Sequence, residues 1–117
     1  MKMVMALIRN ERLRQVQEAL LKTGITGFTI SATLGMGELR KLGTPPGREG
    51  MVQHIRVEAA VPDSWGDTAV EVLRNASTTG RPGDGIIFVY SLDRAIKIRS
   101  GKEGEGILIP GASEAGK

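Results

Sequence analysis

The residues best suited to chemistry are Thr79-Gly80-Arg81-Pro82-Gly83-Asp84-Gly85. Three glycines and a proline in seven residues mark a tight loop held in unusual backbone angles. With no side chains in the way, successive N–H groups of such a loop face outward and form an anion-sized cup. The chemistry implied is phosphate binding rather than bond cleavage. Two further groups share that theme. Gly35 and Gly37 flank Met36, and Lys97 and Arg99 stand two apart, so in an extended segment they share a face. A glycine turn beside a solvated basic segment accounts for the same residues, and residue types alone leave both readings open.

Other chemistries find little support. His54 is the single histidine and cysteine is absent, so no multi-histidine or thiolate metal site can be assembled. At the foot of a long loop, His54 reads as a solvated polar side chain. Asp63 and Asp67 fall four apart at a helix start, where capping and the helix dipole explain them better than a catalytic pair. No Ser-His-Asp grouping follows from spacing. No GxxxxGK[ST] phosphate loop is present, and Gly35-Met36-Gly37 opens like a dinucleotide fingerprint that Arg40 breaks. RNA recognition on a sheet wants exposed aromatic side chains. Phe28, Trp65, Phe88 and Tyr90 all read as core or interface, so nucleic acid is not an expected partner. The chain is not expected to be an enzyme.

At 117 residues the chain is expected to be one domain. Charged residues make up 25% and hydrophobic residues 40%, values ordinary for a globular protein, and the net charge of +3 fits solubility or phosphate ligands equally well. The lack of cysteine suits a reducing cytoplasm, the expected location. The apolar run of residues 3–8 is too short for a signal peptide and ends in charge at Arg9. No stretch approaches the roughly 20 apolar residues of a membrane span, so no membrane insertion is expected.

The elements that must position the loop follow from periodicity. Residues 2–9 read as a strand with Met3, Met5 and Leu7 on one face and Val4, Ala6 and Ile8 on the other; both faces are apolar and call for burial. Residues 11–23 read as a helix with a stripe of Leu13, Val16, Leu20 and Leu21, capped by Asn10 and stopped by Gly24. Residues 25–35 are rich in β-branched side chains and read as a strand. A polar connection follows over 36–54, too long for a hairpin turn. Residues 55–61 alternate as a strand. Asp63 or Ser64 caps a helix to about Thr78, with Trp65, Ala69, Val72, Leu73 and Ala76 on its buried side. Residues 86–90 form a buried strand, 94–99 a basic segment, and the tail from Ser100 is Gly-rich and loose, with Ile107-Leu108-Ile109 available to pair with an edge. The order β-α-β-loop-β-α-β predicts an α+β, ferredoxin-like sheet. Two helices cover only one face of it, so the other is expected to meet a second subunit.

In four stretches the chain resembles the PII signal-transduction family. Gly24-Ile25-Thr26-Gly27 after the first helix, Gly35-Met36-Gly37, Val57-Glu58 through Val61-Pro62-Asp63, and Thr79-Gly80-x-x-Gly83-Asp84-Gly85 with Ile87-Phe88-Val89-Tyr90 and Ile96-Lys97-Ile98-Arg99-Ser100-Gly101 resemble that family in order and spacing over about residues 1–106. The resemblance implies a ferredoxin-like βαββαβ homotrimer with adenine-nucleotide sites between subunits. Leu7 and Thr79 would belong to the site, and one subunit would supply Gly35, Met36, Gly37, Gly83, Asp84 and Gly85. Its neighbour would supply most of Gly27, Phe28, Thr29, Glu58, Ala60, Lys97 and Arg99. Nucleotide state would set the shape of a T-loop at about 36–54, which would act on a protein target, a transporter or a metabolic enzyme, through Glu38, Leu39, Arg40, Lys41, Arg48 and His54.

Departures from the family pattern narrow this. Glu38-Leu39 replace the arginine and glutamine that help relatives hold magnesium, ATP and 2-oxoglutarate, and leucine has no oxygen to offer a metal. Ile86 replaces a phosphate-reaching lysine, His54 replaces another lysine, and Lys97 replaces the first arginine of the C-loop pair and lacks its fork. The expectation is ADP or AMP over Mg-ATP, with 2-oxoglutarate a poor ligand, bicarbonate a possible second one, and no other cofactor. The T-loop holds no tyrosine or serine and a single threonine, Thr44, which argues against covalent modification. The implied role is regulation of nitrogen or inorganic-carbon metabolism. Alternatives on the same fold are a CutA-like trimeric metal-tolerance protein and a small acylphosphatase-like enzyme, and fold alone does not separate them.

Overall fold

The computed structural model describes residues 1–35 and 51–108. Four strands and two helices run in the order β1 (Lys2–Ile8), α1 (Leu13–Thr23), β2 (Phe28–Gly35), β3 (Val52–Val61), α2 (Gly66–Ser77) and β4 (Gly85–Ser91). The strands form one antiparallel sheet in the order β2-β3-β1-β4. This is the ferredoxin-like α+β arrangement.

The helices cover one face. Val4, Ala6 and Ile8 of β1 and Val57, Ala59 and Val61 of β3 meet Val16 and Leu20 of α1 and Ala69 and Leu73 of α2, all essentially fully buried. Removing a leucine side chain such as Leu20 or Leu73 from water contributes about 1.5–3 kcal/mol each. Leu21, expected in the stripe of α1, is 54% exposed, because it lies one residue, about 100°, round from Leu20. The opposite sheet face carries Met3, Met5 and Leu7 beside Tyr90, Phe88 and Ile86. In the single chain these are only half-covered, with Phe88 and Tyr90 each 46% exposed.

Several local expectations give way to the structure. Asn10 does not cap α1 but opens a 3-10 turn, Asn10–Arg12, whose entry has no side-chain cap. Asp63 and Ser64 likewise sit in a 3-10 turn, Asp63–Trp65, and cap nothing. Asp63 instead accepts from the Met1 amino group at 2.7 Å, which draws its carboxyl below the usual range. Gly24 does end α1, at φ 99°, and the Ile25 N–H returns to Leu20 O. That return buries Ile25 as core and delays β2 to Phe28. Strand β3 begins at Val52, so His54 lies inside a strand rather than in the connection.

The described segment after β4, residues 92–108, is neither extended nor loose. Residues 98–100 form a turn closed by the Gly101 N–H on Lys97 O, so Lys97 and Arg99 do not share a strand face. Arg94 grips Glu103 through Nε and Nη2, and Glu105 accepts the Asp63 N–H at 2.7 Å. These contacts tie the chain through residue 105 back to the sheet. Ile107 lies in a 3-10 turn, Glu105–Ile107, and Leu108 just after it, rather than in an edge strand.

Candidate functional site

The 79–85 loop is built around its own carboxylate. Asp84 accepts the backbone N–H of Thr79 at 2.8 Å and of Gly80 at 3.0 Å, and the hydroxyls of Thr79 and Thr78. These hydrogen bonds, with that from Arg9, hold the Asp84 carboxyl well below the ordinary carboxylate range. The first N–H groups of the expected anion cup are therefore filled from within. An acidic side chain placed after two positive-φ glycines, Gly80 and Gly83, folds back on Thr79 and Gly80 because a carboxylate satisfies several donors at once.

Arg9 locks the loop to the end of β1. Its Nε donates to Asp84 Oδ1 at 2.9 Å and its Nη2 to Pro82 O at 2.6 Å. Glu11 lies 3.8 Å from Arg9 Nη1 and accepts Arg81 Nη2 at 3.2 Å, and Arg81 Nε donates to Thr79 Oγ1 at 3.3 Å. Arg9, Glu11, Arg81, Thr79 and Asp84 thus close a ring of polar contacts. Sequence reading missed Arg9 because its partner lies 75 residues away. The only signal was a charge at the end of an apolar strand.

Gly85 fixes the loop's exit. Its φ is 112°, and a Cβ there would sit 1.7 Å from Leu7 O. Only glycine allows β4 to approach β1 this closely. Beside it lies a pocket of about 320 Å³, with Leu7, Asp84, Gly85 and Ile86 on the loop side and Val70, Arg74 and Ser77 from α2.

The expected site residues fall into two groups within one chain. Leu7, Thr79, Gly83, Asp84 and Gly85 gather at the end of the sheet where Ile8 pairs with both Ile55 and Gly85, and Gly35, paired with Val52, closes β2 at that same end. Gly27, Phe28, Thr29, Glu58 and Ala60 lie toward the other end, where Thr29 pairs with Glu58 and Glu58 with Met5. Lys97 and Arg99 follow β4, which leaves at Ser91 beside Lys2. Seven strand residues, about 20 Å, separate the loop from that exit. Phe28 faces the helices and packs on the core, whereas Thr29 lies on the open face. Met36, Gly37, Glu38, Leu39, Arg40, Lys41 and Arg48 lie outside the described residues. His54, assigned to the T-loop, sits in β3 with Nε2 3.4 Å from Gly83 O. Among the described residues no cluster of three or more metal-ligating side chains occurs, and no helix is long and apolar enough to cross a membrane.

This arrangement can be set beside known proteins. The family described as "Nitrogen regulatory protein P-II" matches residues 1–102. A nitrogen regulatory protein P-II of Haemophilus influenzae is 40% identical over 114 residues, covering 92% of this chain and 100% of that protein. Nitrogen regulatory protein P-II 1 of Escherichia coli K12 is 38% identical over the same shares. Among solved structures, Arabidopsis thaliana PII bound to citrate superposes with a TM-score of 0.76 at 31% identity, covering 89% of this chain and 85% of that one. The match includes both the 79–85 loop and the stems of the long connection, and on this evidence the chain belongs to the nitrogen regulatory protein P-II family, a family of signal-transduction regulators.

Proposed function

We propose that this P-II-type regulator assembles as a homotrimer, binds an adenine nucleotide between subunits, and controls a transporter or metabolic enzyme through its 36–54 loop. Family membership speaks against the CutA-like and acylphosphatase-like alternatives. The half-covered apolar face of Met3, Met5, Leu7, Phe88 and Tyr90 supports assembly, since a sheet this apolar on both sides wants two covering layers. The wide separation of the two residue groups supports a site completed by a neighbour: Gly83 and Gly85 of one chain would face Lys97 and Arg99 of the next.

Within that site, ADP or AMP is favoured over Mg-ATP. The observation that carries this is the polar ring. Both arginines at the loop are engaged, Arg9 with Asp84 and Arg81 with Glu11, and Ile86 offers no charge. Among the described residues of the loop itself few cations are left for outer phosphates, whose stabilisation rests on charge. The setting is nitrogen or inorganic-carbon control in the cytoplasm, with bicarbonate as a candidate second ligand. Calorimetric titration with AMP, ADP, ATP with and without magnesium, 2-oxoglutarate and bicarbonate tests the reading. Tighter binding of Mg-ATP than ADP, strengthened by 2-oxoglutarate, overturns the preference. Failure of every adenine nucleotide to bind overturns the site.

A further inference from the structure

We infer that His54 is a positioning residue that makes anion binding at the 79–85 loop depend on pH. The inference rests on the nucleotide reading above and adds its regulation. Strand β3 pairs His54 with Thr33 of β2, and Thr33 Oγ1 donates to His54 O at 3.2 Å. Ile8 pairs with Ile55 on one side and Gly85 on the other, so one further step of the register sets Arg9 between His54 and Asp84. Thr33, His54, Arg9 and Asp84 thus form a row across the end of the sheet. The row joins the strand leaving the long connection to the 79–85 loop.

The chemistry of the row turns on one contact, His54 Nε2 to Gly83 O at 3.4 Å. A carbonyl oxygen only accepts, so the contact is attractive only when Nε2 carries a proton. Neutral imidazole divides between two tautomers, and one of them sets a lone pair against the carbonyl. Protonated imidazole donates from both nitrogens. A separation of 3.4 Å is long for a hydrogen bond and leaves room to tighten.

The charges around His54 are balanced without it. Arg9 at the end of β1 faces Asp84, Arg81 of the loop faces Glu11, and Arg56 on β3 itself faces Glu58 at 3.2 Å. The neighbours on β2, Ser31 and Thr33, and the first side chain of β4, Ile86, carry no charge. Beyond the Gly83 carbonyl, a charge on His54 therefore has no carboxylate of its own among the described residues. A phosphate docked on the loop supplies the counter-charge. Anion binding and His54 protonation then reinforce each other by linkage. Imidazole is the side chain that ordinarily changes charge between about pH 5 and 8.

The experiment follows ADP binding to the full-length protein at about pH 6 and about pH 8. Wild type and His54→Gln are compared, because glutamine keeps a donor toward Gly83 O but does not titrate. ADP's own phosphate titration is common to both proteins and cancels. The wild type is expected to gain about threefold more affinity toward the lower pH than His54→Gln, with ADP shifting the histidine's titration upward. As His54 is the single histidine, its imidazole proton resonances report that shift directly in the wild type, with no variant needed. Equal pH dependence in the two proteins, or an imidazole titration that ADP leaves in place, overturns the inference while the nucleotide reading stands. ADP failing to bind the wild type at both pH values overturns both.

Discussion

Arg9 Nε donates to Asp84 Oδ1 at 2.9 Å across 75 residues of sequence, and Arg9 Nη2 reaches Pro82 O in the same grip. One planar guanidinium therefore sets both the carboxylate that organises the loop and the backbone of its tip. A lysine has the charge but not the fork. Arg9→Lys is expected to loosen residues 79–83, seen as faster amide exchange there, and to weaken ADP binding about tenfold, or about 1.4 kcal/mol. Unchanged exchange would mean that the loop holds itself without β1.

Asp84 gives the fold an acid-side dependence. Its carboxyl titrates below the ordinary value of 3.8 in the folded chain, chiefly through the Thr79 hydroxyl and N–H. A lowered folded-state pKa contributes stability that is complete above the ordinary value and is lost as pH falls below it. Melting temperatures of wild type and Asp84→Asn are expected to differ most near neutral pH and to converge below about pH 4. A gap that widens in acid would refute the assignment.

Gly85→Ala should be among the most damaging single changes. The added methyl would lie 1.7 Å from Leu7 O on a backbone at φ 112°, so β4 must separate from β1 or the loop must rebuild. A loss above about 4 kcal/mol is expected, a large share of the stability of a small domain. Gly80→Ala has open space and meets only the backbone penalty, about 1 kcal/mol. Chemical denaturation of the two variants separates close approach from conformational strain.

Ser77→Ala tests the opposite sign. The Ser77 hydroxyl is buried, at 7% exposure, and has no hydrogen-bond partner among the described residues. Removing an unsatisfied buried polar group should be neutral or stabilising by up to about 1 kcal/mol. A destabilisation of that size in denaturant melts would show that Oγ has a partner in the assembled protein.

The open face makes assembly testable at one residue. Phe88 lies opposite Met5 at its centre. Phe88→Asp places a charge there and is expected to convert a trimer to monomers in size-exclusion chromatography with light scattering. A wild-type monomer at micromolar concentration would remove the basis for a shared site.

The sheet was readable from sequence because alternation is local. Val4-Ala6-Ile8 and Val57-Ala59-Val61 announce their buried face within seven residues of chain. Gly24 announces the end of α1 for the same reason. The glycine frame of the loop was also legible, but not what fills it. Asp84 turning inward and Arg9 reaching it depend on strands β1 and β4 being neighbours, which no residue pattern near either one records. The fold of residues 92–108 is hidden from local sequence for a related reason. The Arg94–Glu103 and Glu105–Asp63 contacts impose order on a glycine-rich composition that by itself suggests none.

The outer position of β4 has a consequence for the life of a newly made chain. Gly85–Ser91 is an uncharged run without proline, rich in β-branched and aromatic residues, and one of its edges has no partner strand among the described residues. Such segments template cross-β aggregation when left bare. In the proposed trimer, a protomer that has folded but not yet met its copies would carry this segment with its apolar face bare. Assembly would then also act as a safeguard against fibril formation, and slow or dilute assembly would be the condition of greatest exposure to misassociation.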